Sequence, residues 1–193
     1  MAKPTGRPIR SELLETARTL IQTRGISVFS YGALAASAGI KAPSIHHHFP
    51  RKDQLVAEIA AQYRNEFADL LHTIEATSAI DRIVEYAELY AATARAGRSC
   101  LCGAIAAEWS SVGEPVRDVV DAFFAEQVEW LRDCVADGQR RGEIRVQGVD
   151  PATFARTLFA HLQGSMLLAR CDDSFSDMTT TTREALRHVA GGN

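Results

Sequence analysis

Three consecutive histidines, His46, His47 and His48, share a short segment with Lys41, Ser44 and Lys52. Imidazole, ammonium and hydroxyl groups are the donors with which a protein meets an anion or the edge of a base. A histidine run also raises metal binding. Successive helical residues point about 100° apart, so these three rings cannot converge on one ion, and no metal site is expected. Cys100 and Cys102 flank Leu101 and supply at most half a zinc site. With Cys134 and Cys171 they form no disulfide-rich framework, so reduced, structural thiols are the expectation, although Arg95 and Arg98 could create an electropositive setting for the pair. Glu108 lies in the apolar run GAIAAEW, where an unpaired carboxylate is costly. It should meet a local partner such as Arg98, solvent or a ligand. No G-x-S-x-G, phosphate-cradling glycine loop or H-E-x-x-H is present, and no cofactor is expected.

Nearly every segment that must position these residues has the helical period. From Ser11 to Arg24, Leu13, Ala17, Leu20 and Ile21 line one face, and Gly25 supplies a stop. Tyr31 to Ala38 reads as a short helix capped by Ser30, and Pro43 to Phe49 as another, with proline in the first turn. A longer helix from Arg51 puts Leu55, Ile59, Tyr63, Phe67, Leu70 and Ile74 on one stripe. Further helices are expected over Asp81 to Ala96, Cys102 to Ser110, Glu114 to about Gly142, Pro151 to about Arg170 and Thr182 to Ala190. The longest period-2 signal is Ile144 to Val146. The fold is therefore expected to be all-α. A three-helix N-terminal domain (residues 1–55) would be joined by a long helix to a larger helical domain (56–193).

The 193 residues are 46% hydrophobic and 23% charged, which excludes an intrinsically disordered chain. No run is long and apolar enough to span a membrane, and MAKPTGRPIR lacks the apolar core of a signal peptide, so a soluble cytosolic protein is expected. The net charge of -3 conceals a division. Residues 1–55 hold eight Lys or Arg against three acidic residues, a balance of +5, which leaves -8 for the rest. A basic segment on an acidic body points to a polyanion partner for that segment alone.

Two short helices around Ala38-Gly39-Ile40 form a helix-turn-helix pattern, in which Gly39 permits the reversal and Ile40 fills the angle. An ordinary corner between two helices would use the same turn. Residues Gly25 to Leu55, GISVFSYGALAASAGIKAPSIHHHFPRKDQL, resemble the DNA-binding segment of TetR/AcrR-type transcriptional regulators. Gly25, Ser30, Leu34-Ala35, Ala38-Gly39-Ile40, Phe49, Lys52 and Leu55 carry the likeness. Phe29 stands where many members have Thr, Lys41 where they have Ser, and His46 and His48 where Tyr is common. Ile45 and Phe49, four apart, should face the core with Leu34 and Ala38. The opposite side then offers Lys41, Ala42, Ser44 and His47, with His46 and His48 more lateral. Lys41 and Ser44 can reach bases or phosphates, while Ala42 and Pro43 can touch a thymine methyl. Ser30 and Tyr31 could clamp the backbone. The resemblance implies phosphate contacts at His46, His48 and Lys52, the last also at a helix N-terminus that favours an anion.

The resemblance further implies a homodimer on a palindromic double-stranded DNA operator and a small-molecule effector that releases a repressor; the opposite sign, ligand-promoted binding, stays open. The last long helices are expected to form the subunit interface through Val128, Leu131, Leu158, Gly164, Ser165, Met166 and Leu167, because small residues permit close approach. Candidate effector contacts are Tyr86, Glu108, Trp109, Phe123, Phe124, Phe159 and His161, with Tyr90 a further aromatic candidate. Two alternatives compete: a helical interaction module without DNA, and an all-α enzyme in which Glu108 and His161 form an acid–base set. No membrane partner is expected.

Overall fold

The computed structural model describes residues 9–145, 149–172 and 177–190. Among these, nine α-helices and one 3-10 turn form the fold, and no strand occurs. The helices are α1 (Ile9–Arg24), α2 (Tyr31–Ala38), α3 (Ala42–His48), α4 (Lys52–His72), α5 (Ala79–Arg95), α6 (Leu101–Ala106), α7 (Glu114–Arg140), α8 (Pro151–Leu168) and α9 (Met178–Ala190). The 3-10 turn is Trp109–Ser111.

Several ends differ from expectation. Helix α6 stops at Ala106 and resumes only as the 3-10 turn, where a helix from Cys102 to Ser110 was expected. Helix α9 starts at Met178 rather than Thr182, because Asp177 accepts from the Thr180 amide and so caps a helix whose threonine-rich start reads as loop. The α4 stripe runs out early: Leu55, Ile59, Tyr63 and Phe67 are buried, Leu70 is exposed, and Ile74 falls beyond the helix. Ile144 is buried without strand structure, and Val146 lies outside the described residues.

The described chain packs as two compact units. One comprises the residues up to Arg64 together with Leu101–Val120; the other comprises Asn65–Cys100 and the residues from Asp121 onward. The first unit thus takes in a stretch that the division at residue 55 assigns to the larger half. Its core joins Leu13, Ala17 and Ile21 of α1, Leu34 of α2, Ile45 of α3 and Leu55 and Ile59 of α4, all almost inaccessible to solvent. Helix α6 packs on α1 and adds Leu101, Cys102 and Ile105.

In the second unit α5 packs against α8 and α9. Ser78 caps α5 by accepting from the Asp81 amide, and Asp150 caps α8 by accepting from Ala152 and Thr153. Two side-chain ties hold α9 to α5. Arg183 donates to Asp81 at 2.7 Å, and Thr179 donates to Glu88 at 2.7 Å. Both carboxyls are held below their ordinary range, first by those bonds, with burial opposing and further cationic partners assisting.

Candidate nucleic-acid interface

The turn between α2 and α3 is closed by backbone geometry. Gly39 has φ +66° and ψ 30°, a left-handed conformation that a side chain disfavours, and the Gly39 and Ile40 amides both bond to the Ala35 carbonyl. Ser30 caps α2, its hydroxyl oxygen accepting from the Ala33 amide at 3.1 Å. Lys41 occupies the N-cap of α3 without a side-chain cap bond, so its ammonium group is not used in closing the helix.

Helix α3 presents two sides. Ile45 is fully buried and Phe49, at the C-cap, is 2% exposed. Lys41, Pro43, Ser44, His46 and His47 are exposed, while Ala42 and His48 are half-buried. The polar side expected from the spacing is thus open to solvent, with an apolar anchor beneath it. The His46 ring packs edge-on against Tyr31 at 4.6 Å, and His47 packs against His48 at 5.5 Å.

The Tyr31 hydroxyl is engaged within the unit: it donates to the Phe49 carbonyl at 2.8 Å, so its proton fixes the end of α3 to the start of α2 instead of reaching outward. Partial burial, first, and then the Asp53 carboxylate raise the phenol above its ordinary range. Lys52 is exposed and begins α4, yet its ammonium group also donates to the Ile26 carbonyl at 3.4 Å and lies 5.4 Å from the centre of the Phe29 ring. The same cation therefore steadies the α1–α2 loop.

Glu108 belongs to this first unit. One carboxylate oxygen accepts from the Ser27 amide at 3.2 Å, and a Cβ at Gly25, whose φ is +86°, would sit 3.0 Å from that oxygen. The partner is a backbone amide of the α1–α2 loop, which no local sequence pattern marks. Trp109, also in the first unit, is exposed, with Arg117 above its ring and donating to its carbonyl.

The remaining candidate effector residues lie in the second unit. Tyr86 and Phe123 are fully buried, Phe159 is 9% exposed, and Phe124 is half-buried. Phe67 joins Tyr86, Tyr90 and Phe123 within about 6 Å of its ring centre, and Phe159 meets Tyr90 and Phe124. His161 lies apart from this core interior, exposed on α8. Gln127 and Trp130 were not legible as members of the cluster. Tyr86 donates to the Gln127 side-chain oxygen at 3.2 Å, so the 3.1 Å contact between the phenols is a bond from Tyr90 to Tyr86. Burial drives the Tyr86 phenol far above its ordinary range, while that bond opposes the shift. Trp130 stacks on Tyr86 at 5.2 Å. The available signal for Gln127 was its place on the apolar stripe of α7, three or four residues from Phe123, Phe124 and Leu131.

The expected interface residues divide as well. Leu131, Leu158, Ser165 and Met166 are buried within their own unit and Val128 is half-buried. Leu167 is 67% exposed, and a Cβ at Gly164 would meet nothing within 4 Å. Cys100, Cys102 and Cys134 are buried and Cys171 is exposed. Burial pushes the Cys134 thiol up to about 11. Among the described residues no group of three or more His, Cys, Asp or Glu is placed to hold a metal ion, and no helix is long and apolar enough to cross a membrane.

Comparison with known proteins matches both parts of this arrangement. Residues 13–59 match the family model described as bacterial regulatory proteins, tetR family, and residues 76–186 match the tetracyclin repressor-like C-terminal domain. The HTH-type transcriptional repressor KstR2 of Mycolicibacterium smegmatis is 30% identical over 147 residues, covering 71% of this chain and 70% of that protein. The KstR2 of Rhodococcus jostii is 42% identical over 50 residues, covering 26% and 24% of the two chains. The crystal structure of a TetR-family transcriptional regulator from Agrobacterium tumefaciens superimposes with a TM-score of 0.84 at 30% identity, over 92% of this chain and 97% of that one. With a capped helix-turn-helix in its first unit and a family match that spans most of the second, the chain belongs to the TetR family of transcriptional regulators.

Proposed function

We propose that the chain acts as a homodimeric repressor that reads a palindromic double-stranded DNA operator and leaves it when a small molecule binds. The observation that carries the reading is the two-sidedness of α3: Lys41, Ser44, His46 and His47 exposed above a fully buried Ile45. Such a helix can be set into a major groove without unfolding anything beneath it. Ser44, His47 and Lys41 are assigned to base edges, and Ala42 and Pro43 to apolar contact with thymine methyls. Phosphates are assigned to His46, His48, Lys52 and the Ser30 hydroxyl, whose proton is left over from capping; Tyr31 positions α3.

One seven-residue helix contacts few bases, so a twin copy is required for tight reading. Helix α8 supports this with an outward row of Thr157, Ala160, His161, Gly164 and Leu167, spaced three and four residues apart. Small residues in that row allow a second helix to approach closely, and Leu167 and Leu168, both exposed, gain most from being covered. His161 is placed at this surface, and the interface is centred on Gly164 and Leu167. The aromatic cluster around Tyr86, Phe123, Phe124 and Phe159 is assigned to the region that senses the effector. Repression is suggested by the two relatives named as repressors, and no catalytic step is assigned to any residue.

Salt dependence of binding tests the reading. If each subunit neutralises three or four phosphates, affinity for a DNA duplex recovered by selection falls about a thousandfold or more between 50 and 200 mM salt. A flat response would instead favour a helical interaction module.

A further inference from the structure

Helix α3 is seven residues long and Lys41 gives it no side-chain cap, so neither its length nor its start holds it in place. Its far end is better tied. The Phe49 ring is buried, its amide bonds to the Ile45 carbonyl at 2.8 Å, and its own carbonyl accepts from the Tyr31 hydroxyl. A further tie comes from α1. The Arg10 guanidinium carbon lies 4.8 Å from the centre of the Phe49 ring, over its face. The two terminal nitrogens of that guanidinium donate to the two carboxylate oxygens of Glu58, on α4. One side chain thus joins α1, α4 and the end of α3.

A guanidinium so placed has two possible uses. Its side chain is 47% exposed in a basic segment, which suits a phosphate contact. The pair with Glu58 argues for the other use. It neutralises the charge that a phosphate would meet, and its two parallel bonds fix the guanidinium plane against the Phe49 ring.

We propose that Arg10 is a positioning residue for α3: paired with Glu58, it holds the Phe49 end of the helix at the angle that fits a groove, and does not itself bind phosphate. That this setting governs DNA affinity rests on the repressor reading above; the holding of α3 does not. The two side chains are 47% and 28% exposed, so the tie has the strength of a surface ion pair plus a cation–π contact. Losing it should leave α3 competent in about a third to a tenth of the molecules, and apparent affinity falls by the same factor.

Affinity for a duplex recovered by selection, measured well below the melting temperature of each variant, separates the two uses by sign. Glu58→Gln removes a negative charge, so an Arg10 that meets phosphate would bind DNA more tightly in that variant. The positioning role predicts the reverse. Glu58→Gln and Arg10→Ala should each bind about threefold to tenfold more weakly, and the double variant should be no weaker than the weaker of the two. Arg10→Ala should leave the salt slope unchanged, and Arg10→Lys, which lacks the planar fork, should restore little. Tighter binding by Glu58→Gln, a salt slope reduced by about one in Arg10→Ala, or unchanged affinity in both single variants overturns the proposal. Amide exchange needs no DNA. The Phe49 amide should exchange about threefold to tenfold faster in both variants, while the Gly25 amide, bonded to Ile21 at the far end of α1, stays protected. Unchanged protection at Phe49, or an equal loss at Gly25, overturns the proposal. A wild-type chain that binds no DNA overturns the repressor reading, and the exchange measurement still decides whether Arg10 holds α3.

Discussion

The two units use polar side chains in opposite directions. In the first, Ile45 is the inward anchor of α3, and Lys41, Ser44, His46 and His47 point away from it into solvent. In the second, Tyr86, Tyr90 and Gln127 turn their polar atoms toward one another inside an aromatic cluster. An outward polar face on a short helix with a buried anchor is available to a partner of matching charge without repacking beneath it. An inward network is available only if the packing around it opens, which breaks the bonds between its buried phenol and amide groups unless a ligand replaces them. On the proposed reading, recognition falls to the rigid surface of α3 and effector sensing to the aromatic cluster.

The strongest way to break that contrast is at Ile45. Ile45→Ala removes the anchor and should cost roughly 2–5 kcal/mol, read as a fall in melting temperature and a loss of DNA binding together. Retained stability with lost binding would mean that Ile45 contacts the partner instead. Gly39→Ala is the next largest. No neighbour obstructs a Cβ there, so the change isolates the left-handed backbone and should cost about 1–2 kcal/mol in denaturant unfolding. An unchanged midpoint would show that the turn is not held in that conformation. Glu108→Ala removes the acceptor of the Ser27 amide and should destabilise by about 1 kcal/mol, with faster amide exchange confined to the α1–α2 loop, whereas Glu108→Gln keeps an acceptor and should change less. Faster exchange among the aromatic residues of the second unit would instead place Glu108 in the sensing region.

The smallest expected effect concerns pH. Asp81 and Glu88 have lowered carboxyl pKa values, so the stability they lend is fully present above the ordinary carboxylate range. It is lost as pH falls through their folded values. Helix α9 should therefore show lower amide protection, taken relative to the intrinsic exchange rate at each pH, in acid than near neutrality. Arg183→Ala should remove the part of that pH dependence that Asp81 supplies. Protection of α9 that does not change with pH in wild type would contradict the role given to these ties.

Local rules made the first unit legible. Ser30, Gly39 and the proline in the first turn of α3 mark ends and turns within a few residues, and the i, i+4 pair Ile45 and Phe49 reveals which side is buried. What escaped was tertiary. The Glu108 bond spans 81 residues of sequence, and the Tyr31 hydroxyl turned toward Phe49 because α2 and α3 meet at that angle. In the second unit the aromatic residues were identifiable as a set, but Gln127 and Trp130 belong to it only through packing. Helical periodicity locates a buried stripe without saying which polar residue within it has a partner. The same limit explains Leu131, Leu158 and Met166, which fit an interface by type yet complete their own core.

The most direct test is selection of bound sequences from random duplex DNA, carried out in parallel for wild type, Ser44→Ala, His47→Ala and Lys52→Ala. Wild type should yield a palindromic site. Ser44→Ala and His47→Ala should each relax preference at particular base pairs by about 1–3 kcal/mol, while Lys52→Ala weakens all sequences alike. Equal, sequence-independent losses in all three variants, or no enrichment by wild type, would contradict the assignment of α3 as the reading helix.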